Sequence, residues 1–388
     1  MHLSSSVPAD TAASGTGVYG TSPSLAVTEE LESAPPRARV PSLPPRPRGR
    51  RIATRVVLSL AVAAGFGWLL HRGGLPVIPP RSAFEHVRWW TVGAYFLSLF
   101  VVHWFRAWRW DYLLRPVARV PTRKIIAIAW IGFFAIMMLP FRMGEVVRPA
   151  LLRRDGKVTG SAAMGTIAAE RVLDGLFVAL LLAATMVFIP RLPLEHVREF
   201  GIPVGNVVRM AYLTVGVFTS ALAVLAVFLA ARQWAERTTL RVVGMVSPAL
   251  AARLSRMVGG LADGLRSLPD PRLMGPFLLQ TGVYWSVNAL GMALLGWGCG
   301  LPMTPAQGFA VMGVLAMGIL LPSGPGLFGT FQLSVFLALR LYFPSESVHH
   351  EGVAYVFLLY LAQFVFTTVM GVVPLWVEHI NPREALEE

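Results

Sequence analysis

Apolar blocks at about 52–70, 89–105, 125–139, 161–189, 207–231, 275–300, 306–321 with 327–341, and 352–377 dominate this sequence. About six of them are long enough to cross a bilayer as an α-helix, which takes some 20 residues. A soluble domain cannot hide so many such stretches. The chain is 55% hydrophobic and only 14% charged, which leaves too little polar surface to cover them. The expected fold is therefore an all-α polytopic membrane protein, and a soluble enzyme built on one core is excluded.

Two blocks do not read as simple spans. Residues 125–139 end at Leu139-Pro140, then a polar Phe-Arg-Met-Gly-Glu turn leads into a second short apolar stretch. Residues 306–321 likewise end at Leu321-Pro322, followed by Ser-Gly-Pro-Gly-Leu-Phe-Gly and another apolar segment. Loop charge decides how they sit, because cytoplasmic loops carry the excess of Lys and Arg. Arg106, Arg109, Arg115, Arg119, Arg123 and Lys124 precede the first broken block, and Arg142, Arg148, Arg153, Arg154 and Lys157 follow it. Both flanks then face the cytoplasm, and the block reads as a re-entrant hairpin. The alternative, a full crossing, would put the loop holding Arg232, Arg237, Arg241, Arg253, Arg256, Arg266 and Arg272 outside.

With that choice the chain reads as span, span, hairpin, span over about 52–189, starting inside. The same order recurs over about 207–377, starting outside. This is the inverted-topology repeat of many transporters. The sequence divides into a disordered basic tail at 1–50, a transmembrane domain at 51–380 and a short tail at 381–388, with both termini cytoplasmic. The tail at 1–50 is too poor in aromatic and branched residues to bury a core. The net charge of +13 flanks the apolar blocks, so it points to topology and anionic lipid, not to nucleic acid. The single Cys299 excludes an intrachain disulfide and a cysteine metal cluster.

Four groups of residues carry chemistry. In the first hairpin Pro140 stops a helix, Gly144 permits a close turn, and Arg142, Glu145 and Arg148 follow at a returning helix start that favours an anion. In the block 161–189, Glu170, Arg171 and Asp174 fall within one and a half turns. Each charge at the bilayer centre costs about 2.5–3.5 kcal/mol on the lenient scale. They therefore need each other, a partner or water, as a structural ion pair or as a substrate site. In the second hairpin Pro322, Pro325, Gly326 and Gly329 forbid a continuous helix. Finally Arg106, Arg109 and Trp110 at the end of a span read as an interfacial belt, or as headgroup capture at the cytoplasmic mouth. Gln280, Asn288 and His103 read as interhelical hydrogen-bonders. No catalytic motif, metal set or cofactor loop is present, so the expectation is a non-enzyme without cofactors.

Arg106…Arg109-Trp110…Leu113-Leu114, Leu139-Pro140-x-Arg142-x-Gly144-Glu145-x-x-Arg148, Glu170-Arg171-Val-Leu-Asp174 and Pro325-Gly326-x-x-Gly329 occur in this order over about 52–380. In that combination the chain resembles the transmembrane region of lysylphosphatidylglycerol synthases, the flippase-like domain. The resemblance implies a domain that moves a lipid with a charged headgroup between leaflets. Full-length synthases add a soluble aminoacyl-transferase; only residues 378–388 follow the last span here, so a stand-alone member without that activity is expected. The family often has Gly where Leu327 stands and Glu where Gln332 stands.

The combined reading is a flippase of a bacterial inner membrane. Arg142, Arg148 and Arg171 bind a phosphate-containing headgroup with Gly144, Gly326 and Gly329, while Glu145, Glu170 and Asp174 balance the charge. Its partners are membrane lipids: an anionic or aminoacylated phospholipid, or a polyprenyl-phosphate-linked substrate. A homo-oligomer or a separate synthase partner is compatible. The rivals are a non-catalytic partner of an envelope enzyme and an intramembrane transferase on lipid-linked substrates.

Overall fold

A computed structural model describes residues 57, 61, 64, 65, 67 and 68, and residues 78–377 except 140–143, 155, 157, 194–197, 200, 201, 246 and 322. The tails at 1–50 and 381–388, and Pro140, Arg142 and Pro322, lie outside the described residues.

After a 3-10 turn at Arg81–Phe84 come α1 (Trp89–Trp108), α2 (Trp110–Leu114), α3 (Thr122–Met138), α4 (Val147–Arg154) and α5 (Gly160–Phe188). A two-residue antiparallel ladder, Arg198–Glu199 with Ile202–Pro203, separates these from the rest. Then follow α6 (Gly205–Ala230), α7 (Arg232–Gly244), α8 (Pro248–Gly264), α9 (Pro271–Gly298), α10 (Pro305–Gly318), a 3-10 turn (Pro325–Leu327), α11 (Thr330–Leu339) and α12 (Ser345–Val377). The protein is a polytopic α-helical membrane protein. Helices α5, α6 and α12 are long and apolar enough to cross a bilayer by length and composition. Helices α1 and α9, of 20 and 28 residues, match in length but mix Trp, His, Tyr, Gln and Asn with their apolar residues.

Local sequence explains where the helices begin. Ser247-Pro248, Asp270-Pro271 and Thr304-Pro305 each place a capping oxygen just ahead of a proline at the first helical position. The cap satisfies an orphan N–H, and the proline lacks one at a position where none is needed. Thr304 and Gln307 complete a reciprocal capping box.

The broken blocks fold back on themselves. A Cβ on Gly144 would collide with the backbone of Ala135 and Ile136, and one on Gly132 would strike the stem of Arg148. Residue 144 thus lies against 135–136 and residue 148 against 132, an antiparallel register of the second segment on the first. In the second block Gly318 sits against the Ser334 side chain, which sets the turn near Gly326. At 17, 8, 14 and 10 residues, α3, α4, α10 and α11 reach about 25, 12, 21 and 15 Å, short of the hydrocarbon thickness of about 30 Å.

The second tip needs left-handed backbone. Gly326 and Gly329 have φ of 74° and 89°, and Leu327 between them has φ of 58°. That is the position where the resembling family often carries Gly, and Leu here holds the same turn against its side-chain sterics. Gln332 Oε1 accepts from the Gly329 N–H at 2.8 Å, so the amide takes over the capping that a Glu would perform.

Two apolar cores hold these pieces. One gathers α9–α12 around Tyr95 and Leu99 of α1 and Leu182 and Met186 of α5. The other packs α2, α3, α4 and the start of α5 around Trp110, with Phe277 of α9. Across the sequence, α1 packs on α9 and α3 on α12, and the second tip rests on α3. Helices α5 and α8 touch through glycine, since a Cβ on Gly165 or Gly264 would enter the backbone of the other helix.

Replacing Gly329 by Ala is expected to lower stability by about 1–2 kcal/mol, the cost of a side chain in the left-handed region. Thermal unfolding in detergent measures this, and an unchanged midpoint would show that the tip relaxes instead.

Candidate functional site

Helix α5 carries its charges on one face because Glu170 and Asp174 are four residues apart, one helical turn. Both are buried, with Glu170 0% exposed. Such carboxylates persist in an apolar setting only with cations beside them. The structure supplies three. Arg109 Nη2 donates to Asp174 Oδ2 at 2.7 Å and lies 3.4 Å from Glu170 Oε1. Arg148 Nη1 pairs with Glu170 Oε2 at 2.9 Å, and Arg171 Nη2 donates to Glu170 Oε1 at 2.6 Å. Tyr284 adds its hydroxyl to Asp174 Oδ1 at 2.9 Å.

Aromatic rings lie against the guanidinium groups of Arg148, Arg109 and Arg106. Arg148 lies over the Trp110 ring at 3.9 Å, Arg109 over Phe277 at 4.6 Å and Tyr284 at 4.8 Å, and Arg106 over Phe133 at 4.3 Å. Trp110 in turn donates from its indole N–H to Thr166 Oγ1 at 3.0 Å, and Arg109 Nη1 donates to Thr281 Oγ1 at 2.9 Å. Gly132 makes room for the Arg148 stem where α4 crosses α3.

Cation is in excess. Arg109, Arg148 and Arg171 share Glu170 and Asp174, while Arg106 lies within electrostatic range and Glu145 acts on Arg171. Buried guanidinium N–H groups remain without a hydrogen-bond partner among the described residues: Nε of Arg106, Arg109 and Arg171, and both Nε and Nη2 of Arg148. Buried donors of this kind seek an acceptor, and a planar guanidinium suits a phosphate or carboxylate oxygen. Arg171, with 23% of its side chain exposed, is the open edge of the cluster, whereas Arg148 is sealed at 1%.

The sequence-predicted residues are thus only partly brought together. Arg148, Glu170, Arg171 and Asp174 meet. Gly144 is used for backbone contact within its hairpin. Gly326 and Gly329 lie elsewhere, at a tip backed by the Tyr360 hydroxyl and the Phe364 ring. Among the described residues, no hydrogen bond or ion pair ties them to the cluster. Arg109 and Trp110 correct the interfacial-belt reading: both are 0% exposed and belong inside the cluster, because the Asp174 carboxylate and the Arg148 guanidinium face them. Sequence reasoning missed Thr281 and Tyr284. Their signal is a polar stripe on α9 that includes Gln280, whose amide reaches Tyr112 Oη at 3.4 Å. His103 does bridge helices, with Nδ1 at 2.9 Å from the Leu99 carbonyl and Nε2 at 3.3 Å from Thr367 Oγ1.

A family model described as the lysylphosphatidylglycerol synthase TM region matches residues 56–371. No curated protein and no solved structure matches the chain.

Asp174→Asn strips the nearer of two carboxylate partners from Arg109, and breaking one side of a buried pair costs about 3–5 kcal/mol. Thermal unfolding in detergent should fall accordingly, and the paired substitution Arg109→Met with Asp174→Leu should recover part of the loss. Equal midpoints for Asp174→Asn and the unsubstituted protein would show that the pair adds no net stability.

Proposed function

The chain belongs to the lysylphosphatidylglycerol synthase transmembrane-region family, and from that premise we propose that it moves a phosphate-bearing lipid headgroup between the leaflets of a bacterial inner membrane. The family is a membrane domain associated with lipid flippase-like function. The observation that carries the finer reading is the surplus of guanidinium over carboxylate among the described residues, with unpaired donors on Arg148 inside the cluster and on Arg171 at its partly exposed edge. An anionic headgroup supplies the acceptors those donors lack, and its acyl chains stay in lipid. Glu170 and Asp174 hold the arginines apart and keep the empty site from carrying their full charge, which would be costly to bury.

The two short hairpins support a re-entrant, inverted-repeat layout, since neither of their arms spans the hydrocarbon alone and the second tip rests on α3 of the first. Loop charge favours cytoplasmic termini. On this reading the protein performs no covalent chemistry, needs no cofactor, and acts on a membrane lipid alone, as a homo-oligomer, or beside a separate synthase.

The test is leaflet exchange of fluorescent phospholipids in proteoliposomes. Unsubstituted protein is expected to speed exchange of anionic, aminoacylated or polyprenyl-phosphate lipids. Arg171→Gln, at the open edge, is expected to slow it at least about tenfold, the loss of one charge-assisted hydrogen bond of roughly 1.5–3 kcal/mol. Arg171→Lys should restore part of the rate. Protein that moves none of these lipids would overturn the proposal and favour a partner or transferase role.

A further inference from the structure

Helix α6 is 26 residues long, and none of its most apolar stretch is buried within the protein, so it faces lipid. The chain turns at Ala231 and α7 starts at Arg232 with no linker. Helix α7 therefore begins at the depth where α6 leaves the hydrocarbon. It pairs with α8 through a compact ion network: Arg232 donates to Glu236 at 2.8 Å and to Asp263 at 2.7 Å, and Arg266 joins Asp263 at 2.9 Å. Those are all the acidic residues of the two helices.

Neither acid is exposed, and apart from Gln233 the exposed large side chains of the pair are cations and apolar groups. Arg237 and Arg241 of α7, and Arg253 and Arg256 of α8, are exposed and have no ion pair among the described residues. The two helices and their junction also expose Trp234, Leu240, Met245 and Met257, with Met245 83% exposed. No residue of α7 is buried. A surface meant for water would not show so much Trp, Leu and Met, and one meant for an apolar protein partner would not carry four unpaired arginines. Guanidinium groups at the phosphates with Trp and Met at the acyl boundary match the headgroup layer of an anionic membrane.

We propose that the α7–α8 pair is a membrane-surface element that lies in the headgroup layer of one leaflet and binds anionic phospholipid through Arg237, Arg241, Arg253 and Arg256. Its occupant is the bilayer that surrounds the protein. Helix α8 docks on the first turns of α5 through the Gly165–Gly264 contact, so the bound lipids gather beside the helix that carries Glu170, Arg171 and Asp174. The inference is independent of lipid transport.

The test uses the full chain with Cys299→Ala and a nitroxide at Met245→Cys or Met257→Cys. The protein is reconstituted in phosphatidylcholine vesicles with or without phosphatidylglycerol. Oxygen and an aqueous nickel chelate report the depth of the label. With phosphatidylglycerol present, nickel access is expected to fall severalfold. The decrease should vanish in high salt and in a variant with all four arginines changed to Gln. Equal nickel access in both vesicles would overturn the proposal, as would shielding that ignores both lipid charge and the arginines, which would point to contact between copies. Lipid exchange measured in the same vesicles can fail without touching this result.

Discussion

Glu170 and Asp174 are the constraint to which the rest of the bundle answers. Two carboxylates one turn apart on an apolar helix are tolerable only if positive charge stands beside them. It comes from three directions: Arg109 at the α1–α2 junction, Arg148 on α4, and Arg171 on α5 itself. Helix α9 closes the fourth side through Tyr284 and Thr281. Each contact also fixes a helix position. The α1–α2 junction, α4 and α9 thus all contact the same pair of acids.

The broken helices serve that arrangement. A continuous helix through 122–154 would carry Arg148 away from Gly132, whereas the antiparallel return of α4 along α3 sets its stem over Gly132. The opposite tip pays for its sharp turn with a left-handed Leu327, a strained choice held in place by Gln332 and by aromatic packing on Tyr360. Close backbone contact at Gly144, Gly165 and Gly264 then replaces side-chain packing where helices must approach most closely.

How much of this was legible beforehand follows from the range of each signal. The helical membrane class, the two breaks and the charged turn of α5 were readable because length, proline and the cost of buried charge act locally. The partners were not. Asp174 meets Arg109 across 65 positions and Tyr284 across 110, and no spacing rule spans such distances. Arg and Trp alternating at the end of a helix look the same whether they meet headgroups or a buried carboxylate, so Arg109 and Trp110 read as surface and prove to be interior. Thr281 and Tyr284 were passed over because a hydroxyl on a membrane helix is commonplace until something charged faces it.

The order of the residues along the chain has a consequence for how such a protein can be made. Arg109, Arg148, Glu170, Arg171 and Asp174 all precede α6, and chains emerge from the ribosome N-terminus first. The charges that a bilayer resists most are therefore complete, and able to neutralise one another, before Thr281 and Tyr284 exist. The early half enters the membrane with its own counter-ions and waits only for hydroxyls. Biosynthesis need never shelter a lone intramembrane carboxylate until its partner is translated.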